Sequence, residues 1–189
     1  LKKKIRKDEN GNIIPDRTPK QRKNNTKFTF ARYMFAFIRK RFGDLPVWKI
    51  AAAQRGMTDD NLIQSTNYKY LDEKGKILDM EGFQVSLGPL ALPLNLRATR
   101  NGTLVSITWD DPRDEPSAAP TDRMMVGIFY ADYRDTFTLE KETGATRRDG
   151  KCEIILRDDD GEVCIHPFFA RADNTAFSED KAITLPDTE

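Results

Sequence analysis

Histidine is almost missing from these 189 residues: His166 is alone, and cysteine occurs only as Cys152 and Cys164. There is therefore no Cys–His cluster of the zinc type. No apolar run approaches the ~20 residues needed to span a bilayer. The richest stretch, Phe28 to Ile38, is broken by Arg32 and reads as a helix face. Glycine-rich phosphate loops, nucleotide fingerprints, fixed-period repeats and low-complexity tracts are also missing. The chain opens at Leu1 rather than Met, and no apolar signal core follows Lys2, Lys3 and Lys4, which leaves room for a removed leader or an upstream segment.

What is present is a folded, polar composition, 38% apolar and 32% charged, on a chain long enough for one large or two small domains. The net charge of +1 hides an asymmetry. Residues 1–49 carry 15 Lys and Arg against 4 Asp and Glu, a balance of +11, and the remainder carries 16 against 26, a balance of −10. A basic head on an acidic body implies an anionic partner, or two halves that neutralise each other within one assembly.

Residues Thr103 to Pro112 mark the architecture. Leu104, Ser106 and Thr108 alternate with Val105, Ile107 and Trp109, and the chain turns at Asp110-Asp111-Pro112. Period-two patterning predicts strands near Leu94–Arg100, Thr103–Trp109, Arg123–Ala131, Asp135–Glu140, Lys151–Leu156, Val163–Ala172 and Ala182–Leu185. Turns fall at Asn101-Gly102, Asp149-Gly150 and Asp160-Gly161. Seven short strands with turn signals between them are expected to form a two-sheet sandwich.

The first half reads differently. Asn10-Gly11 predicts a hairpin turn between the weak flanks Lys2–Lys7 and Asn12–Ile14. Thr18, Pro19 and Gln21 form a capping box for a long first helix. Phe28, Ala31, Phe35, Ile38 and Phe42 give it an apolar stripe, which Phe30, Met34 and Phe37 widen. Gly43 stops it after Arg39, Lys40 and Arg41. A second helix is expected over Pro46–Arg55, and a third, capped by Thr58, from about Asp59 to Tyr70. Ile77, Leu78, Phe83, Val85 and Leu87 read as extended segments, and Gly88-Pro89 with Pro93 as a linker. The division is residues 1–90 as basic arm plus helical region and 93–187 as sandwich domain.

Two resemblances follow from these residues. Leu94 to Pro186, with Trp109 ending the second strand before Asp-Asp-Pro, resembles a fibronectin type III or immunoglobulin-like sandwich; it lacks the paired cysteines and second-sheet Trp of antibody domains. The whole layout resembles an uncharacterised bacterial family known only as a domain of unknown function, in which a basic hairpin and helical segment precede a sandwich. The matching runs are Thr18-Pro19-Lys20-Gln21 with Phe28, Met57-Thr58 with Asn61, and Val85-Ser86-Leu87-Gly88-Pro89-Leu90. Thr108-Trp109-Asp110 and Ala145-Thr146-Arg147-Arg148-Asp149-Gly150 match as well. Glycines expected in that family's leading hairpin are missing, which implies a truncated start. The family carries no established activity, so no catalytic residue is transferred.

Local candidates for chemistry are weak. Cys164 and His166 are i, i+2 strand neighbours on one face that point side by side, with no third group to orient the ring. Asp158-Asp159-Asp160-Gly161-Glu162 crowds carboxylates whose directions diverge, unlike a calcium loop. That turn and the loop holding Asp110, Asp111, Asp114 and Glu115 read as solvated ends that could receive a neighbour's basic arm. The strand offset of Cys152 and Cys164 argues against a disulfide.

The fold expected is α+β, a basic N-terminal hairpin and short helices followed by a seven-stranded antiparallel β-sandwich. The function expected is a non-enzymatic structural or protein–protein interaction protein, a subunit of a larger assembly. Its partner-binding residues are Lys2, Lys3, Lys4, Arg6, Lys7, Lys20, Arg22, Lys23 and Lys27. The partner is a protein or a second copy, with nucleic acid as the alternative. The aromatics Phe28, Phe30, Tyr33, Phe35 and Phe37 invite base stacking, but their spacing fits burial. No catalytic residue, cofactor, metal or small-molecule ligand is assigned, and the compartment is left open.

Overall fold

The computed structural model describes residues 7–13, 18–111, 113–133, 137–157 and 161–187. Helix α1 spans Pro19–Phe42. Its capping box forms as the sequence requires: Gln21 N donates to Thr18 Oγ1 at 3.2 Å, and Thr18 N to Gln21 Oε1 at 2.9 Å. Helices α2 (Val47–Ala53) and α3 (Asp59–Asn67) follow, α3 capped by Thr58, whose Oγ1 accepts from Asn61 N at 3.3 Å. The last turn expected of α3 tightens into a 3-10 turn over Tyr68–Tyr70.

All seven expected strands are present: β1 Leu94–Asn101, β2 Leu104–Asp110, β3 Arg123–Tyr130, β4 Phe137–Glu140, β5 Lys151–Ile155, β6 Val163–Ala170 and β7 Ile183–Leu185. They form two antiparallel sheets, ordered β1-β2-β5 and β4-β3-β6-β7. The protein is thus α+β with a fibronectin type III-like sandwich.

Residues pointing between the sheets build one core: Val105, Ile107 and Trp109 meet Met124, Val126, Ile128, Ile165 and Phe169. The opposite faces of β3 and β6 are also buried, which is why every residue of β6 is buried. Met125, Phe129, Cys164, Phe168 and Ala170 lie in a second core with Ala31, Phe35, Ile38, Phe42, Trp48 and Ile63 of the helices. The layers are therefore sheet, sheet and helices. Covering both faces explains the near-continuous apolar run Met-Met-Val-Gly-Ile-Phe-Tyr in β3, where a one-sided strand would alternate.

The extended segment from Phe83 to Leu87 is a strap across that outer face, and the stretch read as a linker, Gly88 to Pro93, continues it through the buried Leu90. Phe83, Val85 and Leu87 are buried in the helix-side core, and Ser86 and Leu90 are buried as well. Leu90 N donates to Phe177 O at 3.1 Å and Ser86 Oγ to Ser178 O at 2.7 Å. Gly88 is required by proximity: a Cβ there would collide with the Phe177 carbonyl oxygen. Gly88→Ala is expected to cost about 1–3 kcal/mol by overpacking. Urea unfolding checks this, and an unchanged midpoint would mean that the strap is not held this tightly.

Cys152 and Cys164 are both free and buried. They sit in different sheets, on β5 and β6. The Asn10-Gly11 hairpin turn forms, with Lys7 bridging to Ile13, and residues 7–13 are exposed throughout.

Candidate interaction surface

Helix α1 is buried unevenly along its length. Toward its C-terminal end Phe35, Ile38 and Phe42 are sunk in the core, and Phe42 stacks on Phe137 of β4 at 5.9 Å between ring centroids. Lys141 Nζ secures that end by donating to Phe42 O at 2.9 Å. The N-terminal half runs along the 68–76 loop, where Lys27 Nζ lies 4.6 Å from the Tyr68 ring centroid and Lys23 pairs with Glu73. Gly75 lets that loop approach, since a Cβ there would lie 2.9 Å from the Phe30 backbone.

The outward side of this half is bare. Phe28 and Phe30 are each 42% exposed and Tyr33 is 69% exposed, which corrects the expectation that these rings are core. Only Phe35 is fully buried among the five aromatics weighed, with Phe37 half-buried. The helix presents this face because Arg22, Thr26, Thr29 and Tyr33 recur at i, i+4, i+7 and i+11, one stripe along the axis. Thr26 and Thr29 donate their hydroxyls to Arg22 O and Asn25 O at 3.0 and 2.9 Å, so they meet a neighbour only as acceptors. Beside the stripe, Phe28, Arg32, Tyr33 and Arg39 of α1 face Thr58, Asp60 and Gln64 across a groove of about 910 Å³. Arg39 crosses it to pair with Asp59 at 3.6 Å and with Asp60.

The basic residues expected to bind a partner divide into groups. Lys7, Lys20, Arg22 and Lys23 are exposed, and Lys27 is half-buried against Tyr68. Lys2, Lys3, Lys4 and Arg6 lie outside the described residues, as do Asp158, Asp159 and Asp160 of the acidic turn. Sequence reasoning missed Arg32 and Lys40, both exposed on α1. Helical spacing, i+7 from Tyr33 for Lys40 and i+4 from Phe28 for Arg32, would have found them.

His166 also differs from its local reading, because a third group does orient its ring. Nδ1 lies 2.7 Å from Asp180 Oδ2 and Nε2 lies 3.4 Å from Cys164 Sγ. Burial alone would pull the imidazole pKa down. The hydrogen bonds the ring makes to Asp180 and Cys164, with the Asp180 charge, outweigh that and raise it from 6.5 to about 9. Asp180 Oδ1 meanwhile accepts from Val85 N and Ser86 N at 2.8 and 2.7 Å. The arrangement has the order of a nucleophilic triad, but Cys164 and His166 have no exposure, and Phe129 closes the ring's flank at 5.2 Å. It fastens the strap to β6.

A second buried constellation closes one end of the sandwich. Arg147, almost unexposed, pairs with Asp111 after β2, and its Nε lies 3.3 Å from Asp122 Oδ2 before β3. It also donates to Ala91 O at 2.8 Å and lies 4.2 Å from the Phe169 ring centroid. Arg113 and Arg171 brace the two carboxylates from outside. Burial pushes Asp122 above the usual carboxylate range despite Arg171 and Arg147. Burial acts upward on Asp111 too, but the Arg113 and Arg147 hydrogen bonds hold it below that range. Trp109 Nε1 donates to Arg147 O at 2.7 Å, which explains the tryptophan at the end of β2.

Among the described residues no group of His, Cys, Asp and Glu is placed to hold a metal ion, and no helix is long and apolar enough to cross a membrane. No protein-family model matches the chain, and no curated protein matches it in sequence. One similar solved structure is the crystal structure of the FN1–FN3 domains of chicken CNTN1, at 7% identity and a TM-score of 0.39. The match covers 55% of this chain and 34% of that one, so this chain spans about a third of its length.

Proposed function

We propose that the protein is a non-enzymatic structural or protein–protein interaction protein, a subunit of a larger assembly. In this reading the sandwich is the rigid platform and the basic N-terminal segment with α1 is the docking element. The observation that carries it is the N-terminal half of α1, where Phe28 and Phe30 on opposite flanks and Tyr33 on the outward side stand exposed together with Lys20, Arg22 and Arg32. Exposed aromatic rings interspersed with guanidinium groups are what a partner surface buries. The sealed Cys164–His166–Asp180 set supports the non-enzymatic part, because substrate has no route to a thiol with no exposed surface. The resemblance to an uncharacterised bacterial family adds no activity to this reading.

A benzophenone side chain at position 33 of the full chain, irradiated in cells, is expected to give covalent protein adducts. Light scattering is expected to give a mass above the monomer that falls as salt rises. No adduct together with a monomer at every salt concentration would overturn the reading. The same rings beside the same cations favour a second reading, nucleic-acid binding. It predicts an affinity whose logarithm falls linearly with the logarithm of salt concentration, and the absence of a mobility shift at low salt would dispose of it.

A further inference from the structure

We propose that the partner of the α1 face is a second copy of this chain, held head to tail, with the carboxylates along the β7 edge of one copy receiving α1 of the next. This rests on the interaction reading above and names its partner. Residues 1–49 carry +11 and the rest of the chain −10, so each head is opposite to one body in sign and close to it in magnitude. A symmetric α1–α1 contact would oppose two basic faces, which charge disfavours. The contact therefore joins unlike surfaces.

The fold sets the C-terminal end of α1 apart from β7. Helix α1 is fastened to β4 through Phe42, Phe137 and Lys141, while β7 is the opposite edge of the same sheet. Three inter-strand spacings of ~4.8 Å lie between those edges. At the β7 edge Glu81 contacts Thr184, and the pairing of Val163 with Leu185 brings Glu162 and Asp187 to the same end. All three carboxylates are exposed, and none of them makes an ion pair among the described residues. Of the cations nearby, Lys181 Nζ donates to Leu96 O at 2.8 Å, and Arg100 Nη1 donates to the main-chain oxygens of Gly161 and Pro186 at 2.6 and 3.4 Å, beside Glu162 and Asp187. On α1, Lys23 and Arg39 pair within the chain with Glu73 and with Asp59 and Asp60, whereas Lys20, Arg32 and Lys40 have no ion pair among the described residues, so a chain neutralises its own head only in part.

Sedimentation of the full chain at low salt is expected to show association that grows with concentration and dissolves at high salt. The head variant Arg32→Glu with Lys40→Glu, and the tail variant Glu81→Lys with Glu162→Lys, are each expected to weaken self-association about tenfold or more. All four sites are exposed, so both variants should fold, which circular dichroism confirms. Mixed, the two variants are expected to form a closed 1:1 pair, because each keeps one working surface. Photo-crosslinking from position 33 in a mixture of ¹⁴N and ¹⁵N protein is expected to join copies near Glu81 or Glu162. A monomeric wild type whose position 33 crosslinks to a different protein would overturn the head-to-tail inference and leave the interaction reading standing. A monomer with no adduct would overturn both, and association unchanged in either variant would overturn the inference alone.

Discussion

Asp180→Ala is expected to lower the unfolding free energy by about 3–5 kcal/mol, the usual loss when one partner of a buried pair is removed. Three groups lose their acceptor together: the His166 Nδ1–H and the Val85 and Ser86 amides. Asp180→Asn keeps an oxygen for the amides and loses the charge, so it is expected to fall between wild type and alanine. The pair also sets a pH dependence with a defined sign. The folded-state pKa of His166 is raised from 6.5 to about 9. Its contribution is therefore complete below pH 6.5 and fades as pH rises through 9, a loss of about 3 kcal/mol. The urea midpoint of the wild type should decline across that window, and the decline should vanish in Asp180→Ala. A midpoint equally flat in both proteins would show that the imidazole is neutral in the fold.

Arg147→Met is the second large effect. The substitution keeps an apolar stem of similar length against Phe169 but leaves Asp111 and Asp122 facing each other without the central guanidinium. Arg113 and Arg171 still reach those carboxylates from outside, so the cost is expected near the lower end of the range for broken buried pairs, about 3 kcal/mol. The bond from Trp109 Nε1 goes to the main chain of residue 147 and survives the change. Stability of the variant should therefore improve on mild acidification relative to wild type, as one of the two carboxylates takes up a proton. A loss below about 1 kcal/mol, in the range of an exposed pair, would mean that this cluster does not hold the end of the sandwich.

Much of the architecture was readable residue by residue. Alternation in Leu104–Asp110 and the turns at Asn101-Gly102 and Asp149-Gly150 specify strands because side chains on extended backbone alternate between faces. Thr18, Pro19 and Gln21 specify a helix start through groups three residues apart, which is purely local chemistry. Helical spacing already points Tyr33 away from Ala31 and Phe35, but the exposure of Phe28 and Phe30 was not readable. Helical spacing tells which way a side chain points around the axis and says nothing of how far along that axis a covering surface extends. Here the cover ends near Ala31, so the same apolar pattern is core in one half of α1 and bare in the other. Gly88 and Pro89 misled for a related reason. They specify a segment without regular pairing, and an irregular segment can be a buried strap as readily as a free linker once a sheet face needs covering.

By itself, the sequence determined the elements, the turns between them and the separation of charge into a cationic head and an anionic body, because each rests on neighbours within a few positions. Only the tertiary structure decided that Asp180 meets His166, that Arg147 meets Asp111 and Asp122, and that α1 and β7 occupy opposite edges of one sheet. Those contacts join residues 14 to 36 positions apart or more, and their partners are chosen by how the layers stack. The backbone pattern of either segment alone carries no record of that choice.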